Sequence, residues 1–186
     1  MSITTIIPPA SEPVSLAEAK LYLRIDHAHE DELIETLIGA AREAVEAATG
    51  RALITRTVRE SLDIWAREAA QGALLGLGPV AEVVTVRLLS DTGSQSVLAP
   101  DRYRLDGWRD RPRLVFASGV PATLRQLGGV EIEYVCGFAD KAADLPVALR
   151  LATLQIVASL YELRQGDGGV PETARALMRP YAPARL

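Results

Sequence analysis

Two histidines, His27 and His29, are the only imidazoles in the 186-residue chain, and they stand two apart with Asp26, Glu30 and Asp31 beside them. Imidazole nitrogen and carboxylate oxygen suit zinc or manganese, so a His-dependent metal enzyme is one reading of this string. The spacing works against it. Residues two apart on a helix point to different faces, and this is where a helix is expected to begin. Acidic side chains at a helix start answer its dipole, which is the plainer account. With no third histidine, a Ser-His-Asp or Cys-His arrangement would have to draw on this same pair.

Several other residues and strings are of types capable of chemistry or binding. Gly76-Leu77-Gly78-Pro79 and Gly166-Asp167-Gly168-Gly169 are glycine-rich, but neither has the strand-loop-helix context or the Lys-Ser/Thr ending with which backbone amides cradle phosphate. They are read as turns. Glu131 and Glu133 share one strand face without the sugar-stacking aromatics of a glycosidase, and strand alternation makes that face the solvent side. Arg102-Tyr103-Arg104 and Trp108-Arg109-Asp110-Arg111-Pro112-Arg113 mix arginines with aromatics, as a module that tracks a nucleic-acid backbone and stacks bases would. Asp101, Asp106 and Asp110 dilute the charge, and a hairpin rim gives the same string. Cys136, the one cysteine, follows a strand and is expected to pack as a small hydrophobe.

Composition narrows the classes. Lys plus Arg number 20 against 24 Asp plus Glu, a net charge of -4 that supplies no overall positive field for duplex binding. One cysteine excludes an internal disulfide framework and fits synthesis in a reducing cytoplasm. Hydrophobic residues at 48% permit a full core, and the length suits a single domain over 1–186. No apolar run reaches the ~18 residues of a membrane span, and Met1 to Pro13 has no signal-peptide pattern. Arginine outnumbers lysine 18 to 2, but no spacing demands that many guanidinium groups.

The elements that must position these residues follow from local signals. Ser15-Leu16-Ala17-Glu18 is a capping box opening a helix from about Leu16 to Arg24. After Asp26 to Asp31, the residues Leu33, Ile34, Leu37, Ile38, Ala41, Val45 and Ala48 recur at helical spacing until Gly50. From Leu53 to Ile64 the period falls to two, giving a strand, and Val83 to Leu89, Tyr103 to Asp106, Arg113 to Phe116 and Val130 to Val135 are further strands. Asp144 reads as an N-cap with Pro146 in the first turn, before Leu149, Ala152, Ile156, Val157, Leu160 and Leu163. Pro171 opens a last short helix to about Arg179, stopped by Pro180 and Pro183. The expected fold class is α+β: a small bundle of two long and two short helices, in residues 15–50 and 144–180, with a β-rich insertion at 52–138.

One charge asymmetry remains. Asp26 to Glu35 holds five acids and no base, while Ala174 to Leu186 holds Arg175, Arg179 and Arg185 and no acid. With Tyr181 and Leu186 as apolar anchors, residues 171–186 read as a tail that orders against a partner.

The order of elements resembles the head-tail connector (adaptor) proteins of tailed phages and of bacterial gene transfer agents. The strings that carry the resemblance are Val14-Ser15-Leu16-Ala17-Glu18-Ala19-Lys20-Leu21-Tyr22-Leu23-Arg24-Ile25-Asp26, Glu30-Asp31-Glu32-Leu33-Ile34, Ala40-Ala41-Arg42-Glu43-Ala44-Val45-Glu46 and Thr49-Gly50-Arg51-Ala52-Leu53. Pro100-Asp101-Arg102-Tyr103-Arg104-Leu105-Asp106, Val135-Cys136-Gly137-Phe138-Ala139-Asp140, Leu145-Pro146-Val147-Ala148-Leu149-Arg150 and Ala176-Leu177-Met178-Arg179-Pro180-Tyr181 continue it. The resemblance implies a structural protein without enzymatic activity or cofactor, made in a bacterial cytoplasm and assembled at the head-tail neck of a phage-like particle. It implies a ring, typically of twelve copies, between the portal and a tail-side stopper or connector, with DNA passing through and touching it transiently. On that reading no residue is catalytic or metal-binding, and Arg175, Arg179, Tyr181, Arg185 and Leu186 are the expected portal-docking residues.

Overall fold

The computed structural model describes residues 2–63, 72–106, 112–117, 124–163 and 169–182. The expected strand end at Ile64, together with Gly166, Asp167 and Gly168, lies outside them. Four α-helices and two antiparallel sheets are present among the described residues, so the α+β expectation holds. The chain separates into a β-rich unit, Met1–Pro8 with Arg56–Gly137, and a helical unit, Pro9–Thr55 with Phe138–Leu186.

In the helical unit, α1 (Leu16–Leu23) starts at the capping box: the Ser15 hydroxyl accepts the Glu18 amide at 3.2 Å while the Ser15 amide donates to the Glu18 carboxylate at 2.8 Å. Arg24, in the left-handed region at φ 60°, ends it. The helix α2 (Asp31–Thr49) begins at the last residue of the run Asp26 to Asp31, with Glu30 as its N-cap, and Gly50 at φ 63° closes it. The helix α3 (Val147–Glu162) corrects the reading of Asp144 as an N-cap. Pro146 occupies that position, and Asp144 belongs to the preceding 3-10 turn, Ala142–Asp144. A residue before proline is driven out of the α region, so Leu145 cannot be helical and the helix starts later. The last helix, α4 (Glu172–Met178), leads into a 3-10 turn at Arg179–Tyr181.

The core of this unit is Ile34, Ile38, Ala41 and Val45 of α2 packed with Leu149, Ala152, Ile156 and Val157 of α3 and with Ala174 and Met178 of α4. Truncating Ile38 or Leu149 to alanine removes a cluster member at a cost of about 2–5 kcal/mol. Glu46 is buried among them because both its oxygens are used. One accepts the Leu53 amide at 2.9 Å and the other the Arg42 guanidinium at 3.3 Å, and Arg42 also donates to Glu12 at 2.9 Å. Lys20 to Asp31 at 2.6 Å and Arg150 to Glu18 tie α1 to its neighbours.

The β-rich unit holds a five-stranded sheet in the order β1 (Ser2–Ile7), β2 (Arg56–Leu62), β8 (Val130–Cys136), β4 (Val80–Leu89), β5 (Gln95–Val97), and a three-stranded sheet in the order β3 (Ala73–Leu74), β7 (Arg113–Phe116), β6 (Tyr103–Asp106). Register explains the sidedness. Val58 faces Tyr134, Glu60 faces Ile132 and Leu62 faces Val130, all buried, while Arg59 opposes Glu133 on the other face. Gly129 makes the turn into β8 possible, since a Cβ there would lie 2.0 Å from the Arg125 carbonyl oxygen.

Glu60 is the exception to an apolar inner face. Its carboxylate accepts the Tyr134 hydroxyl at 2.8 Å and the Gly76 amide at 3.0 Å, pinning the segment after β3 to the sheet. Burial raises its carboxyl above the ordinary range. On the outer face the opposite holds: hydrogen bonds from Arg87 at 2.7 Å and Arg59 at 2.5 and 2.9 Å hold Glu133 below that range.

The signs of these two shifts differ. Folded Glu60 keeps its proton to higher pH than the unfolded chain does, so its favourable contribution is complete below the unfolded value and is lost as pH rises through the folded one. Glu133 contributes above the unfolded value, and that contribution is lost as pH falls through its lowered one. Glu60→Gln keeps both acceptor contacts without a charge and is expected to be more stable than the parent at pH 7, with the difference shrinking toward pH 4.5. Glu60→Ala orphans the Tyr134 hydroxyl and is expected to cost about 1–3 kcal/mol. Urea unfolding at the two pH values checks both, and a Gln variant less stable than the parent at pH 7 contradicts this account.

Candidate functional site

His27 and His29 are exposed in the segment joining α1 to α2, with ring centroids 5.6 Å apart and planes tilted by 37°. They were expected at a helix start, but the helix begins at Asp31, so they belong to the linker. Two of their acidic neighbours are engaged elsewhere: Asp31 accepts from Lys20, and Glu30 accepts the Tyr161 hydroxyl. No group of three or more His, Cys, Asp or Glu among the described residues could hold a metal ion. Two imidazoles alone leave half of a tetrahedral shell to water.

The arginine-aromatic string is divided. Arg102 sits in the 3-10 turn Pro100–Arg102, Tyr103 and Arg104 on β6, and Arg113 on β7 opposite Asp106. Arg104 is exposed and lies 3.9 Å from Asp106. Each described arginine on these strands therefore has an acid close by or opposite, which weakens the field a phosphate backbone needs. Trp108, Arg109, Asp110 and Arg111 lie outside the described residues. Glu131 and Glu133 do share a strand face, but the arginine clamp on Glu133 makes it a structural ion pair. Cys136 is buried, as expected of a small hydrophobe, but it is the last residue of β8 rather than the residue after a strand. Gly76 spends its amide on Glu60 rather than on any loop ligand.

The described part of the basic tail closes the helical unit. Arg175 and Arg179 are exposed on α4 and the turn after it, and Arg175 reaches Glu172 at 3.4 Å. Tyr181 is half-buried: its ring meets Phe138 edge-on with centroids 5.8 Å apart, and its carbonyl accepts Arg51 at 3.3 Å. The sequence reading missed Arg51 and Phe138, which anchor the start of the tail. Both lie just past element ends, Gly50 and Gly137, and nothing local signals a partner 130 residues away. Pro183, Arg185 and Leu186 lie outside the described residues.

The linker geometry gives a direct expectation. Purified protein analysed for bound metal should carry no stoichiometric zinc or manganese, and His27→Ala with His29→Ala should leave its thermal midpoint within about 1 °C, since exposed substitutions change stability little. Stoichiometric metal lost in the double variant contradicts this.

Residues 13–72, which contain α1, α2 and β2, match the family model described as phage gp6-like head-tail connector protein. No curated protein matches the chain. Among solved structures, the chain is similar to one in the virion of a native gene transfer agent (GTA) particle, with TM-score 0.82 and 28% identity over 100% of this chain and 97% of that one. The same figures hold for a chain in the neck of an empty GTA particle computed with C6 symmetry. A chain in the neck of a native GTA particle computed with C12 symmetry gives TM-score 0.76 and 29% identity over the same shares. The resemblance read from the sequence is thus borne out: the chain carries the head-tail connector match over residues 13–72 and is similar over its whole length to chains of gene transfer agent particles.

Proposed function

We propose that the protein is a non-enzymatic adaptor of a phage-like particle neck, forming a ring of about twelve copies between the portal and a tail-side stopper or connector, through which DNA passes. The observation that carries this reading is the full-length similarity to chains from GTA necks solved with C12 and C6 symmetry. The connector match over residues 13–72 supports it independently. A closed ring needs two different faces per subunit, and the acidic stretch from Asp26 to Glu35 and the basic stretch from Arg175 to Arg185 supply surfaces of opposite sign. The net charge of -4 suits a channel in which DNA must move, because each neutralised phosphate adds a counterion-release term that would hold it. The protein is made in the bacterial cytoplasm and acts at the neck.

The tail is the portal-facing contact in this reading. Arg175, Arg179 and Arg185 pair with carboxylates, Tyr181 and Leu186 contribute apolar surface, and Pro180 restricts the free chain so that less entropy is lost on docking. Because Tyr181 is tied to Phe138 and Arg51, the tail leaves the helical unit from a fixed point.

Two truncations separate docking from folding. Removing residues 183–186 should leave the thermal midpoint unchanged, whereas removing 180–186 also strips Tyr181 from Phe138 and should lower it by several degrees. Both should fail to join portal-bearing heads to tails, and complete particles at the full rate would contradict the docking assignment. Light scattering should find an assembly near twelve times 20.0 kDa for the full chain alone, or that mass added to portal rings when they are present. Binding of the isolated protein to duplex DNA should be weak at physiological salt.

A further inference from the structure

The five-stranded sheet has two open edges among the described residues, β1 and β5. An open edge offers a row of unpaired amides and carbonyls, and proteins usually blunt it with charge, proline or a bulge. Neither edge here carries a charge: β1 is Ser2-Ile3-Thr4-Thr5-Ile6-Ile7 and β5 is Gln95-Ser96-Val97. Every residue of both strands is exposed, including Ile3 at 43%, Ile7 at 59% and Val97 at 69%. The only irregularity in β1 is a register shift between Thr5 and Ile7, which leaves Ser2 to Thr5 as regular strand. Pro8 and Pro9 come after the strand and block none of it.

The topology says what kind of partner fits. Each neighbouring pair in the sheet is antiparallel, and there are five strands, so β1 and β5 run in the same direction. A second copy brought up by a small rotation meets β5 with its own β1 in parallel, extending one sheet into the next. Such a contact uses two different surfaces and repeats head to tail, which is the contact that closes a ring. An edge without charge is best matched by another without charge, because an acidic or basic strand would be desolvated there without a counterpart.

We infer that β1 of one subunit adds to β5 of the next, so that the sheets of neighbouring copies run on as one around the assembly. This deepens the ring reading above and rests on it. The contact is short, limited by the three residues of β5, and so contributes register and orientation more than affinity.

Cysteine pairs test it in the full-length protein under conditions where it assembles, alone or on portal rings. Thr4→Cys is combined in turn with Gln95→Cys, Ser96→Cys and Val97→Cys, and each single variant serves as a control for the buried Cys136. Mild oxidation should give a covalent ladder at multiples of the subunit mass for one register. The adjacent position should give at least ~10-fold less, because a one-residue offset puts the sulfurs on opposite faces. In the unmodified protein, those amides of residues 2–5 that do not already donate to β2 should exchange at least ~10-fold more slowly in the assembly than in the free subunit. Assemblies that form but give no ladder above the controls, with unchanged exchange in β1, overturn the strand addition and leave the ring reading standing. Slowed exchange without a ladder, seen only on portal rings, also overturns it and assigns the edge to the portal. Absence of any assembly under all conditions overturns both.

Discussion

The helical unit depends on one long-range packing event: the stripe Ile34, Ile38, Ala41 and Val45 meets Leu149, Ala152, Ile156 and Val157, residues more than a hundred positions apart. Neither helix is stable alone in water at its length, so each forms because the other covers its apolar face. Closing so long a loop costs entropy, but the cost grows only with the logarithm of loop length. The insertion also leaves and returns at one place. The Ala52 carbonyl accepts the Phe138 amide at 3.1 Å and the Ala139 carbonyl accepts the Thr55 amide at 2.9 Å, while Arg56 and Cys136 are the first register pair of β2 and β8. Strand pairing therefore fixes the span that the helices would otherwise have to close themselves.

Two carboxylates are buried with donors on both oxygens, one in each unit. Glu46 reads Leu53 and Arg42, and Glu60 reads Tyr134 and Gly76. In each case a carboxylate fixes a backbone segment that has no regular structure of its own, the stretch after α2 and the stretch after β3. An unpaired acid in either position would cost more than the helix or strand around it could return. The same economy explains the outer face of the sheet, where Glu133 collects two arginines and leaves neither acid nor base poised for proton transfer.

Among the described residues, Glu46, Glu60 and Glu133 hold segments in place, and His27 and His29 stand in the linker. The exposed arginines of the tail, the acidic start of α2 and the uncharged sheet edges differ in chemistry, as the proposed adaptor role would require. Such a protein needs rigid units to present those surfaces, which is what the two cores supply.

What the sequence determined by itself was everything written in neighbouring residues. Ser15 and Glu18 announce α1, Gly50 ends α2, and the strand readings over Leu53 to Ile64 and Val130 to Val135 find β2 and β8 to within a few residues, because caps, stops and periods are properties of a few consecutive positions. Local signals failed where two of them competed or where none existed. Any of several polar residues from Asp26 to Asp31 could open α2, and Asp144 lost to Pro146 through the steric rule for the residue before proline. The strand β1 is exposed on both faces and shows no alternation, so it was legible only once β2 lay beside it. Tertiary structure alone decided that Glu133 faces arginines, that Glu60 is buried, and that Tyr181 returns to Phe138 and Arg51. Partners so far apart in sequence are chosen by register and burial, which no stretch of a few residues encodes.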